Sequence, residues 1–295
     1  MARPSSGGAT WRVLIAIMTS EIQMTQSLVL YHDNCPDGFT AAWAAWRKEG
    51  DGAEYLAVNY GQTPPLNRVK GKYVYLVDFS YPRAVLDELA SVAEVVTVID
   101  HHKTAESDLR GWEHGITFFD MKHSGAHLSW EHFHKTPPPL LIRYVEDRDL
   151  WLWRLPDSRE VSEYIFSIDR TFAEWDRLAA EIDESFAAVV KAGRSLLQAK
   201  RVRVQKICEN VRLLTFGDHC IPIVNTAWDF SEIGEYLAKK FPEAPCGGYY
   251  FDRADKRQWG FRSLGDFDVS VLCKEYGGGG HRTAAGFISD IGWLP

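Results

Sequence analysis

Short apolar runs at Leu28 to Tyr31, Tyr55 to Val58, Tyr73 to Val77 and Val95 to Ile99 each give way abruptly to polar residues. That is the pattern of buried strands. Between them, Ala41 to Lys48 has the Ala-rich composition of a helix packed closely on a sheet, and Arg83 to Ala93, after Pro82, has helical spacing. Strand, helix, strand, helix predicts a parallel sheet. The Lys-Thr-Pro-Pro-Pro stretch at 135–139 breaks any helix, and Leu140 to Val145 resumes an apolar face. Helical periodicity over 171–212 suggests long connecting helices. The strand pattern restarts at Ile221 to Val224, with a helix near Ser231 to Lys240 and strands near Gly248 to Phe251 and Gln258 to Arg262. The expected fold is therefore α/β: a parallel-sheet domain over 27–170, a helical linker over 171–212 and a smaller α/β domain over 213–295.

Composition narrows this without redirecting it. A chain of 295 residues is long for one core, and 45% hydrophobic with 25% charged residues is ordinary globular usage. The formal charge of −7 disfavours tight non-specific duplex binding, so a phosphorylated ligand needs a local basic pocket or bound cations. Five scattered cysteines without a CxxC pair argue against a disulfide framework or a zinc ribbon and for a reducing cytoplasm. No apolar run approaches the roughly 18 to 20 residues that span a bilayer. Residues 1–26 read as a disordered leader or an over-long start.

In doubly wound sheets, ligands bind beyond the carboxyl ends of the strands. After Leu28 to Tyr31 come His32, Asp33 and Asp37. Asp78 follows Tyr73 to Val77, and Asp100, His101 and His102 follow Val95 to Ile99. Asp147, with Asp149 beside it, closes the stretch Leu140 to Val145. Converging carboxylates repel one another in a partly dry cleft, and cations resolve the conflict. Oxygen and imidazole ligands suit manganese, iron or magnesium better than structural zinc. A pair of ions about 3.5 to 4 Å apart bridged by one carboxylate activates water in phosphoryl chemistry, and Asp78 is the candidate bridge.

A second signal is Gly277-Gly278-Gly279-Gly280-His281 and the following Arg282 to Phe287. Consecutive glycines let backbone N–H groups face an anion, and a helix opening at Thr283 would aim its positive end at the same place. His281 would donate to a phosphate oxygen and Arg262 would supply a fixed charge.

His32 to Ala42, Asp78, Asp100-His101-His102, Asp147 and Gly277 to Phe287 together resemble the DHH phosphoesterase family and its DHH-associated C-terminal domain, over about 27–295. The resemblance is to the oligoribonuclease and nucleotide phosphodiesterase type. It implies a manganese-dependent phosphoesterase, with one or two ions, acting in a cleft between two domains. By it His32, Asp37, Asp78, His101 and Asp147 are metal ligands. His102 lies near the scissile phosphate, Asp100 orients a histidine, and Gly278, Gly279, Gly280, His281 and Arg262 grip substrate. One departure stands out: Cys35 occupies a position where the family usually carries an aspartate, two before Asp37. A thiolate from Cys35, Asp33 through a lengthened turn, or a single ion are the alternatives it opens. Asp147 is preferred to Asp149 because it directly closes the apolar run.

The expected activity is hydrolysis of short oligonucleotides or small nucleotide phosphodiesters. The rivals are a monoesterase or pyrophosphate-type hydrolase and a nucleotide-binding regulator without catalysis. The i, i+4 pair His123 and His127 fits a solvated helix face better than a separate zinc site. The stretch 171–212 is linker packing first and a homodimer face second.

Overall fold

The computed structural model describes residues 26–33 and 35–295, so all but the last residue of the expected leader lies outside the described residues. The first half runs β1 (Ser27–His32), α1 (Pro36–Glu49), β2 (Ala53–Val58), α2 (Leu66–Val69), β3 (Tyr73–Val77), α3 (Arg83–Val92), β4 (Val95–Asp100), α4 (Lys103–Asp108) and β5 (Ile116–Phe119). Helices α5 (Gly125–Phe133), α6 (Leu140–Asp149), α7 (Ser158–Phe166), α8 (Phe172–Glu184) and α9 (Phe186–Ile207) follow. The remainder runs β6 (Arg212–Phe216), β7 (His219–Asn225), α10 (Phe230–Lys240), β8 (Gly247–Arg253), β9 (Lys256–Arg262), α11 (Val269–Glu275), β10 (Gly279–Gly280) and β11 (Ala284–Asp290).

The first sheet is parallel throughout, in the order β2-β1-β3-β4-β5. Its strands are apolar on both faces. Val29, Val77 and Ile99 point into one core with Phe39, Trp43 and Trp175, while Leu28, Leu30, Val74, Leu76, Val96 and Val98 point into the other with Phe79 and Leu86. This two-faced burial is why the strands read as continuous apolar runs rather than alternating ones. The chain leaves β1 to one side for β2 and returns on the other side as β3. The topological switch point, where such sheets open a crevice at their carboxyl edge, therefore lies between β1 and β3.

The second sheet is mixed, β10-β11-β9-β8-β7-β6, with β7 and β8 as its parallel pair. The helix expected to open at Thr283 is instead strand β11, antiparallel to β9 from Ala284↔Arg262 to Asp290↔Lys256. Ala285 and Phe287 are buried while Ile288 is exposed, an alternation a strand satisfies. Ion pairs join the two lobes: Arg148 to Glu232 at 2.9 Å, and Arg159 to both carboxylate oxygens of Glu235 at 2.7 and 3.0 Å. Among the described residues no helix is long and apolar enough to cross a membrane.

Candidate metal centre

Three strand ends deliver the chemistry. His32 is the last residue of β1, Asp78 follows β3, and Asp100 ends β4 with His101 and His102 directly after it. Asp78 sits at φ 53°, in the left-handed region that few residues other than glycine adopt, while its N–H still donates to Ile99 O at 2.9 Å. A conformation that costs about 1–2 kcal/mol is thus held by the β3–β4 ladder and turns the carboxylate toward β1.

Asp37, in the first turn of α1, is buried and accepts from Gly125 N at 2.7 Å and Ala126 N at 3.1 Å, the free N–H groups that open α5. Gly125 is required there for space. A Cβ at that position would lie 2.4 Å from Asp78 Cβ and 2.8 Å from Asp78 Cα. Gly125→Ala is expected to cost about 1–3 kcal/mol, as overpacking does, and to weaken divalent-ion affinity by displacing Asp78. Thermal melts with and without metal check both parts.

His101 is the hub. Its Nε2 lies 3.2 Å from Asp78 Oδ1, 3.5 Å from Asp149 Oδ2 and 3.8 Å from Asp37 Oδ2. Burial opposes its charge, but Asp78, Asp149 and Asp37 outweigh that and raise it to about 11. The Asp78 carboxyl is likewise buried, yet His101 and His32 hold it well below the usual carboxylate range. For Asp37 the relief is too small: burial first, then Asp78 and Asp149, push it well up despite His101, and burial with Asp78 raises Asp149 against the pull of His101. Asp78 Oδ1, Asp100 Oδ2 and His101 Nδ1 are buried without a hydrogen-bond partner. Crowded acids and orphaned buried atoms are what a set of cation ligands looks like before the cation is counted.

Ligand atoms gather in overlapping groups: Asp37, His101 and Asp149; Asp78, Asp100, His101 and His102; His32, Cys35 and Asp78. Cys35, where an acidic residue was anticipated, therefore stands beside His32 and Asp78, its thiol pushed well up by burial and by Asp78, Asp149 and Asp37. Asp33 accepts from Asn59 Nδ2 at 3.2 Å and lines the cleft.

Asp147 and Asp149 point to different surroundings. Asp147 is buried against the following turn, accepting from Arg154 N at 2.9 Å, Leu155 N at 3.3 Å and Ser158 Oγ at 2.5 Å. It ties the end of α6 to the start of α7. Asp149 reaches His101, with about a quarter (26%) of its side chain open to the cleft.

The second lobe closes over this edge. His281 lies 5.1 Å from the His101 ring and stacks on His102 at 4.6 Å. Asp100 Oδ1 holds His102 Nδ1 at 2.6 Å and also accepts from His101 N at 2.7 Å. Burial opposes charge on His102, but Asp100 raises it nonetheless, whereas burial together with His102 and His101 lowers His281 to about 3. Arg262 lines the same cleft of about 1770 Å³, along with Tyr60, Arg148 and Lys200. Part of the glycine run is already engaged within its own lobe. Gly277 N, Gly278 N and His281 N donate to Lys274, Cys273 and Ala284 carbonyls, and Gly278 lies so close to β11 that a Cβ would meet Gly286 O at 2.1 Å. The run brings β10 against β11, and His281 is what it presents to the cleft. Sequence reasoning missed Tyr60, whose ring lies 5.3 Å from His32 and 6.3 Å from His102; an aromatic in a loop after β2 carries no distinguishing signal.

No family model matches the chain. It is 28% identical over 294 residues to the uncharacterized protein R106 of Acanthamoeba polyphaga mimivirus, covering 91% of this chain and 69% of that protein. It is 27% identical over 230 residues to the oligoribonuclease NrnB of Bacillus subtilis (strain 168), covering 68% of this chain and 54% of NrnB. The match thus spans about half the length of NrnB. Among solved structures, RecJ of Thermus thermophilus in complex with Mn2+ aligns over 94% of this chain and 51% of its own, at 16% identity and a TM-score of 0.48.

Proposed function

We propose that this chain is a member of the DHH phosphoesterase family and a divalent-cation-dependent phosphodiesterase acting on short oligonucleotides or small nucleotide diesters, a reading supported by its likeness to the oligoribonuclease NrnB. The observation that carries this reading is the convergence of Asp37, Asp78 and Asp149 on His101 at the switch point, faced by His281 from the other lobe. His32, Asp37, Asp78, His101 and Asp149 would hold the ions, Mn2+ by preference, with Cys35 beside His32. Such ions supply an activated water and offset charge on the phosphoryl oxygens.

The chain's own groups do the rest. Asp100 fixes the ring orientation of His102 and favours its protonated form, so that this imidazole can face the negative charge of a phosphodiester. His281, kept neutral by burial and its neighbours, offers a hydrogen bond beside His102. Arg262 is steadied by Ser231 Oγ at 3.2 Å and by its contact with Phe261 O at 2.9 Å, leaving a positive group on the cleft wall. The net charge of −7 disfavours long duplexes and leaves short substrates as the better fit. Free cysteines at all five positions suit a cytoplasmic setting.

The test is hydrolysis of dinucleotides and short oligoribonucleotides with Mn2+ or Mg2+, with products resolved by chromatography. Mononucleotide products from the diesters are expected, lost with Asp78→Asn. Release of inorganic phosphate alone would move the reading to a monoesterase. Tight nucleotide binding without metal-dependent turnover would move it to a regulator.

A further inference from the structure

We propose a second, separate metal site in this chain, formed by His123, His127 and Glu146 and suited to Zn2+. One ring nitrogen of each histidine and a Glu146 oxygen lie within 4.8 Å of one another. His123 Nδ1 is 3.1 Å and His127 Nδ1 2.7 Å from the same Oε2. The two rings stand 3.9 Å apart at 33°, so their Nδ1 edges face one point.

An ion pair alone explains this poorly. His127 Nδ1 is buried and, despite its 2.7 Å approach, makes no aligned hydrogen bond to that oxygen. Oε2 meanwhile also accepts from Ser124 N at 3.2 Å. His123 does hydrogen-bond that oxygen, so it is His127, close but misaligned, that is placed as a ligand sharing a third atom would be. A tetrahedral zinc with bonds of about 2.0–2.1 Å sets its ligands roughly 3.3 Å apart, against 3.1 and 2.7 Å from the two histidines to Glu146 here, so seating it asks these pairs to open by roughly half an ångström or less. Two imidazoles and a carboxylate are a zinc donor set with a fourth position left for solvent. On its far side His127 Nε2 lies 3.4 Å from Glu131 Oε1, the outer carboxylate that fixes the tautomer of a metal-binding histidine. A cavity of about 410 Å³ bordered by His127, Glu146 and Arg143 gives an ion its entry.

The position gives the site a purpose. His123 and His127 bracket the N–H groups of Gly125 and Ala126 that hold Asp37, and Glu146 lies on α6 three residues before Asp149. Zinc here clamps α5 to α6, and with them two acids of the catalytic cleft. The i, i+4 spacing of the histidine pair does not reveal Glu146, which arrives from a different helix.

The full-length protein is dialysed against zinc with a large excess of Mg2+, and bound zinc is measured by mass spectrometry beside thermal melts. One zinc per chain is expected, retained in Asp78→Asn and lost in Glu146→Gln and in His127→Ala, with the zinc-dependent rise in Tm lost too. Glu131→Gln, a change at a half-exposed residue that reaches the ion only through His127, should weaken zinc about tenfold with folding intact, which keeps the test decisive if the ligand variants misfold. Zinc retained at full affinity by Glu131→Gln and Glu146→Gln, or lost only with Asp78→Asn, overturns the proposal. Because Asp78→Asn separates the two sites, failure here leaves the diesterase reading standing, and the reverse holds.

Discussion

Asp149→Asn is expected to reduce metal-dependent diester hydrolysis on the order of 10³-fold while leaving the melting temperature of the ion-free protein unchanged or higher. The neighbouring Asp147→Asn is expected to do the opposite. Losing one electrostatic contact in a pre-organised site already costs about 10²–10³ in rate, and Asp149 would lose a cation ligand beside His101. In the ion-free protein its carboxylate is held among Asp78 and Asp37, so removing the charge relieves repulsion. Asp147 faces no such crowd. It accepts from two backbone N–H groups and the Ser158 hydroxyl, and an amide can replace only part of that. Hydrogen bonds to a charged group contribute about 1.5–3 kcal/mol, so a fall of several degrees in Tm should accompany near-normal turnover. Steady-state kinetics and melts on the two variants decide the assignment, and a dead Asp147→Asn of unaltered stability would return the ligand role to Asp147.

The same pair shows where sequence reading reached its limit. Asp78 and Asp100-His101-His102 could be placed because each follows an apolar strand, and a strand's end projects its next residues into one crevice whatever the rest of the fold. Leu140 to Val145 offered the same apolar-then-acidic appearance but is helix α6. Along a helix each residue turns about 100°, so residues two apart face nearly opposite ways. One of Asp147 and Asp149 had to meet His101 and the other the turn ahead, and distance from the apolar run does not say which. The helix expected after the glycine element failed for a related reason. Four glycines announce a backbone that needs room, and the structure uses that room for strand β10 against β11. Glu146 was silent in sequence because its partners His123 and His127 lie on another helix and in the turn before it.

Removing divalent ions should make the protein less stable as pH rises from about 5 to 8, and adding them should reverse the trend. Asp37 and Asp149 have folded values raised above the ordinary 3.8. The ion-free native state therefore holds protons that the unfolded chain has already lost. Their contribution is complete below the unfolded value and disappears as pH climbs through the folded one. His101, raised from 6.5 to about 11, adds a contribution that is full below about 6.5 and fades above it. Asp78 runs the other way, its lowered value giving stability above 3.8 that is lost only in acid, so it is constant across this window. Cations replace those protons: carboxylates that resist ionisation when crowded become ligands, and binding must expel the proton on His101 as well as any on Asp37 or Asp149. At a free ion concentration about 100 times Kd, binding contributes about 2.7 kcal/mol, or roughly 5–10 °C in Tm for a chain of this size. That increment should widen with pH. Calorimetry in buffers of different ionisation enthalpy should report release of at least one proton per chain at pH 7. Binding heats that do not depend on the buffer would mean that the cations bind elsewhere than among Asp37, Asp78, His101 and Asp149.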